Sequence, residues 1–217
     1  MMRQNESSQR LSEAEKAGVE FLRADFSECF QQMRHVDGQI INLCKFAFVA
    51  YSGVTASALG LYKLGIEKSV DLRGAASIIV GIGLIVGLFL FWLAMRNRVY
   101  FIRVTRYINE VRALFLKYKP MGFENKTGMY TNWQKPAFYN WTSSQLWFCY
   151  MVAFLNAVLL GALLYMNVGY TLRWNIFIII FCSMLLLCMQ VTVGILYLKY
   201  LDNKSTEKLS ICEEKGS

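Results

Sequence analysis

The chain has 217 residues, of which 55% are hydrophobic and 18% charged, with only two prolines and a formal net charge of +8. That is too apolar for an ordinary soluble domain and fits a polytopic membrane protein. The six cysteines (Cys29, Cys44, Cys149, Cys182, Cys188 and Cys212) form no CxxC and no regular framework, so they read as reduced small hydrophobes.

The first forty residues are polar and precede any apolar run, so no cleavable leader is expected. Within 1–40, Ser12 and Glu15 make a capping box from which a helix can start. Apolar residues then fall at Val19, Leu22, Phe26, Cys29, Met33, Val36, Ile40 and Leu43, in alternating steps of three and four. This is a heptad seam on a water-facing helix that runs straight into the first apolar run. Gly38 lies in it and marks a place for a bend.

Four stretches are long enough to span a bilayer: 41–62, 74–95, 145–166 and 175–197. Each holds roughly 20 residues, enough at 1.5 Å rise to cross a hydrocarbon core about 30 Å thick. Lys45 is the one ionisable side chain inside them, within a turn of an end where it can snorkel. The second span carries on into 96–120 without a breaker before Pro120. Phe101, Val104, Ile108, Val111, Phe115 and Tyr118 form a second heptad seam there. A connection of about ten residues makes the first two spans antiparallel neighbours. Counting outward from it, Val36 lies level with about residue 100 and Val19 with about residue 117. The two seams are therefore expected to zip into a cytoplasmic stalk. The alternatives are amphipathic helices lying flat on the bilayer, or partners swapped between subunits.

Segment 121–144 carries Phe123, Tyr130, Trp133, Phe138, Tyr139 and Trp141. Such rings beside a span suggest a loop lying along the headgroups, as an anchored connector or a gating element. Residues 198–217 read as a polar, flexible cytoplasmic tail. Basic residues crowd the segment between the second and third spans (Arg96, Arg98, Arg103, Arg106, Arg112, Lys117, Lys119, Lys126 and Lys135), whereas the two short connections hold Lys63, Lys68, Arg73 and Arg173. The positive-inside rule then puts both termini and the central segment on the cytoplasmic side of a cell membrane. The sequons at Asn125, Asn140 and Asn203 fall on that side and carry no weight.

Small residues mark packing faces: Gly53, Ala56, Ser57 and Gly60 in the first span; Ala76, Gly83 and Gly87 in the second; Ala153, Ala157 and Gly161 in the third. They serve packing within the bundle or between subunits. Asn156 and Gln190 sit mid-span, where an amide needs a partner. They can bond each other as glue or, with Ser183, line a narrow polar path. No Asp or Glu lies inside a span, so a carboxylate relay has no carrier. No nucleophile, P-loop or metal motif occurs, and the lone His35 reads as a surface or packing residue. Neither an enzyme nor a cofactor is expected. Arg96 and Arg98 at the bilayer exit fit headgroup anchoring. Arg103, Arg106 and Lys117 lie off the second seam and are candidate contacts for an acidic partner, a nucleotide or nucleic acid, although Glu110 can pair with Arg106.

The order "SEAEKAGVEFLRADFSECF", span, tight turn, span, "RNRVYFIRVTRYINEVRALF" resembles the SLATT group of small prokaryotic membrane proteins over 12–120. The likeness is one of topology, and two further spans depart from the two-span pattern toward the four-span variants found beside nucleotide-signalling and CRISPR systems. The resemblance implies an antiviral effector that permeabilises or depolarises the membrane on a cytoplasmic cue. The expectation is thus an all-α integral membrane protein, oligomeric, acting as a pore or membrane-perturbing effector. A scaffold or sensor for a soluble partner is the alternative.

Overall fold

With prolines only at 120 and 136, the chain has few places where a helix must stop. The structure is a computed structural model that describes residues 13–117, 125–126, 131–132, 134–168 and 173–216. Among the described residues the fold is all helical: α1 Glu13–Lys68, α2 Arg73–Lys117, α3 Ser144–Val168 and α4 Arg173–Gly216. All four are long and apolar enough to cross a membrane. Helix α1 continues through Gly38 without a break. The capping residue Ser12 lies outside the described residues, as do Phe123, Tyr130 and Trp133 of the aromatic segment.

Two boundaries differ from the sequence expectation. The connection between α1 and α2 is residues 69–72, shorter than expected, because both helices run past their apolar stretches. It is closed by a Schellman motif: the Val70 N–H reaches the Gly65 carbonyl at 3.1 Å and the Ser69 N–H the Ile66 carbonyl at 3.4 Å. Ser69 takes the left-handed conformation, φ 53°. A Cβ on Gly65 would stand 2.9 Å from the Val70 carbonyl oxygen, so the turn requires glycine there. The second difference is at 198–217, where α4 continues to Gly216 instead of ending in an irregular tail. Residues 198–215 hold neither proline nor glycine, so nothing in them breaks the helix.

The chain divides into two compact units. One comprises Met1–His35 and Val104–Lys135. In it Leu22, Phe26, Cys29 and Met33 turn partly inward while Arg23, Glu28 and Arg34 stay exposed. On α2, Val104, Ile108 and Val111 are buried. Contacts join the two helices across this seam. Tyr107 donates its hydroxyl to the Asp25 carboxylate, Thr105 Oγ1 lies 3.7 Å from Met33 Sδ, and the Arg112 guanidinium sits 4.9 Å from the Phe30 ring centre. The two helices are thus in contact along this seam. Asn109 fixes the following segment by donating to the carbonyls of Lys135 at 2.7 Å and Asn132 at 3.3 Å.

The other unit comprises Val36–Arg103 and Pro136–Ser217. Its core gathers Ala47 of α1, Val80, Leu90 and Ile102 of α2, Val152 of α3 and Leu198 of α4. Close helix approach rests on small residues. A Cβ on Gly83 would meet the Val54 methyls at 2.8 Å, and one on Gly161 would meet Ser183 Oγ at 2.9 Å. Near one end of this unit, Asn97 Nδ2 donates to the Val36 carbonyl at 3.3 Å, three residues from the expected level of 100.

Candidate functional site: a polar junction of four helices

Helix α3 turns Val152, Ala153, Asn156 and Leu159 inward, residues that the helical period places on one face. Asn156 is wholly buried, 0% exposed. Its two amide atoms serve different helices: Oδ1 accepts from the Tyr51 hydroxyl of α1 at 2.7 Å, and Nδ2 donates to Gln190 Oε1 of α4 at 3.1 Å. Helix α2 completes the junction with an absence of side chain. A Cβ on Gly87 would lie 2.5 Å from the Tyr51 oxygen and 3.0 Å from Asn156 Cγ. Four helices thus meet at one chain of hydrogen bonds whose room is supplied by a glycine. In hydrocarbon such groups have no water to turn to, so the bonds tie the helices together.

One donor of the junction stands apart. Gln190 Nε2 is buried and has no hydrogen-bond partner among the described residues. A carboxamide with a spent oxygen and an unspent N–H can exchange partners when helices shift. The amide pair of Asn156 and Gln190 was legible from their mid-span positions. Tyr51 was not: it stands midway along 41–62, where an aromatic ring reads first as apolar packing.

Ser183 does not join the junction. Its hydroxyl bonds the Ile179 carbonyl of its own helix at 2.9 Å and packs against Gly161. The small-residue positions also divide. Gly83, Gly87, Ala157 and Gly161 pack inside the unit, whereas Gly53 and Gly60 have no atom within 4 Å of a built Cβ and Ser57 is exposed.

A second buried polar group sits on α2 itself. Arg98 is 1% exposed, so it does not anchor headgroups as the sequence suggested; Arg96 is exposed. The Arg98 guanidinium donates from Nε to the Phe138 carbonyl at 2.7 Å, from Nη1 to Ser143 Oγ at 2.5 Å and from Nη2 to the Ala137 carbonyl at 3.5 Å. The same stretch is gripped from α4, where Asp202 accepts the Phe138 and Tyr139 N–H groups at 3.1 and 3.2 Å. The Phe138 peptide therefore carries the attraction between a buried cation and a carboxylate that do not touch. Phe138 is buried instead of lying along headgroups, and Trp141 is exposed. A signal for this existed in the sequence: Arg98, Ile102, Thr105 and Asn109 recur at helical spacing on one face of α2, and all four are buried.

Arg103 is exposed and Arg106 half-buried, and the Lys117 side chain lies outside the described residues. His35 is exposed, and no cluster of metal-ligating side chains occurs among the described residues. No protein-family model, curated protein or solved structure matches the chain.

Proposed function

We propose that this chain is a non-enzymatic multi-pass membrane protein whose four-helix junction works as a closed latch. In this reading it perturbs or permeabilises the membrane when the helices repack in an oligomer. The observation that carries the proposal is the Tyr51–Asn156–Gln190 chain, one hydrogen-bonded link from α1 through α3 to α4 with a donor to spare. Its polar atoms face one another, so the bundle of a single chain is shut. A polar path requires these amides to leave each other and face a lumen. The exposed stripe of Gly53, Ser57 and Gly60 on α1 supplies a close-packing face for a second subunit. Helices α1 and α2 are shared between both units, so a cue read on the helical pair 13–35 and 104–117 has a covalent route to the latch. The setting we infer, from the SLATT resemblance, is antiviral defence at a bacterial inner membrane with both termini in the cytoplasm.

The test is expression with a potential-sensitive dye. Depolarisation by the wild type, changed in threshold by Tyr51→Phe and abolished by Asn156→Leu and Gln190→Leu in chains that still insert, supports the latch. Depolarisation that ignores all three changes refutes it.

A second reading, a scaffold that recruits a soluble partner, is favoured by a separate observation. In the first unit Phe21 is 68% exposed and Leu114 is 44% exposed, both off the seam. Absence of depolarisation together with capture of a soluble protein that Phe21→Asp abolishes would select it.

A further inference from the structure

In the second unit, α1, α2 and α3 do not close completely toward the α1–α2 turn. They leave a cavity of about 430 Å³, within the roughly 300–1,000 Å³ of ligand pockets. It runs from the level of Tyr62, Arg73 and Tyr165 to that of Thr55, Val80 and Val158. Each helix contributes a seven-residue descent, about 10 Å at 1.5 Å per residue. Between those levels the walls are Ala58, Leu59, Leu159 and Ala162. No carboxylate lines it among the described residues. At its end by the turn, Tyr62 and Arg73 also line an adjoining cavity of about 330 Å³, which Asp71 and Gly65 border as well.

Among the described residues that line the groove one is charged, and it is Arg73. The Arg73 guanidinium makes no ion pair among the described residues. Asp71 is the nearest acid in sequence, and its carboxylate accepts the Arg73 backbone N–H at 3.0 Å. Lys63 and Glu67 pair with each other at 3.7 Å, and Lys68 lines neither cavity. An apolar slot some 10 Å deep, open beside an unpaired cation at a helix end, has the chemistry of one amphipathic anion. Among apolar helices of spanning length the abundant molecule of that kind is a phospholipid. Left empty, the slot forfeits the contacts of its lining, and water finds few partners there.

We propose that the groove between α1, α2 and α3 holds an acyl chain of one anionic phospholipid, with its phosphate at Arg73 and its headgroup in the adjoining cavity. The proposal rests on reading these helices as membrane spans. The lipid then packs against the same helices that form the polar junction, so lipid class and latch stability are linked.

Native mass spectrometry of the full chain, released from vesicles of equal phosphatidylglycerol and phosphatidylcholine, tests it. The wild type should retain one lipid per chain and prefer phosphatidylglycerol about five-fold, the effect of roughly one basic side chain near a membrane surface. Arg73→Gln should keep a lipid and lose the preference. Ala162→Phe should lose the lipid; Leu59→Trp, from another wall, serves if the first variant does not fold. Inorganic phosphate should not displace the lipid. No retained lipid, no preference in the wild type, a preference that survives Arg73→Gln, undiminished retention in both filled variants, or release by phosphate alone overturns the proposal. Alkaline carbonate extraction separates the two readings. A chain released by carbonate fails the membrane reading, whereas a chain that stays in the membrane without a bound lipid fails this one only.

Discussion

Gly81 and Gly87 lie on the same helix six residues apart, and the structure assigns opposite outcomes to the same substitution. A Cβ on Gly81 meets nothing within 4 Å, so Gly81→Ala gains only helix propensity, about 0.8–1 kcal/mol. A Cβ on Gly87 meets the Tyr51 hydroxyl at 2.5 Å and lies inside contact distance of the Asn156 amide oxygen. Neither group can yield cheaply, since both are buried and bonded to each other. Gly87→Ala breaks or bends two interhelical hydrogen bonds, at about 0.6 kcal/mol each in a membrane protein. Overpacking adds about 1–3 kcal/mol, and the propensity gain subtracts about 1 kcal/mol. The net is a loss of about 2 kcal/mol, and the two variants should differ by about 3 kcal/mol. Thermal melts in detergent, read by size-exclusion fluorescence and calibrated with an SDS unfolding titration, measure both. A Gly87→Ala protein as stable as Gly81→Ala would refute the junction.

Ser69→Gly should stabilise the same unit by about 1 kcal/mol in the same melt, because it removes the cost of a left-handed non-glycine residue. Arg98→Met should release the segment held at Ala137, Phe138 and Ser143; chymotrypsin should spare the buried Phe138 in the wild type and cut there in the variant. In the first unit the Asp25 carboxylate that accepts its proton, followed by desolvation, pushes the Tyr107 hydroxyl up to about 12. A raised value means the contact stabilises below the unfolded value of about 10 and is lost as pH climbs through about 12, so cross-linking of a cysteine pair across this seam should fall over that interval in the wild type and be flat in Tyr107→Phe. Tyr51→Phe and Gln190→Leu each remove one bond of the same Asn156 amide; a double-mutant cycle should show coupling of about 0.5 kcal/mol or more, and additive costs would mean the three side chains do not act as a unit.

The spans were legible because insertion depends on composition over a window, which needs no tertiary knowledge. The seam at Leu22, Phe26, Cys29 and Met33 was legible because the heptad period records which face is dry. Pairing of Asn156 with Gln190 followed from the scarcity of partners in hydrocarbon. What failed has a common physical cause. Arg98 lies three residues past a span, where the default for a cation is the headgroup layer. Its burial depends on residues 137–143 folding back against α2, a non-local event that no window around Arg98 reports. The end of α4 was misjudged for the opposite reason: its polar composition suggested a tail, but polarity without glycine or proline does not stop a helix. Gly83 and Gly87 read as parts of one packing face and do two jobs, the first admitting the Val54 side chain and the second admitting hydrogen-bonded polar groups.

The strength of the junction bears on whether it can be a switch. Two interhelical bonds at about 0.6 kcal/mol each hold α1, α3 and α4 together by roughly 1 kcal/mol beyond packing. Allosteric couplings between sites are commonly about 1–3 kcal/mol, so in the proposed latch a cue on the helical pair would need no more than an ordinary coupling energy to undo the junction. A salt bridge at the same place would cost several kcal/mol to separate in low dielectric, and an all-leucine contact would have no specific bonded state to leave. Neutral amides and a phenol lie between these limits. In the proposed latch Gln190 Nε2, without a hydrogen-bond partner among the described residues, would lower the barrier further, because the first step of repacking could form a bond before it breaks one.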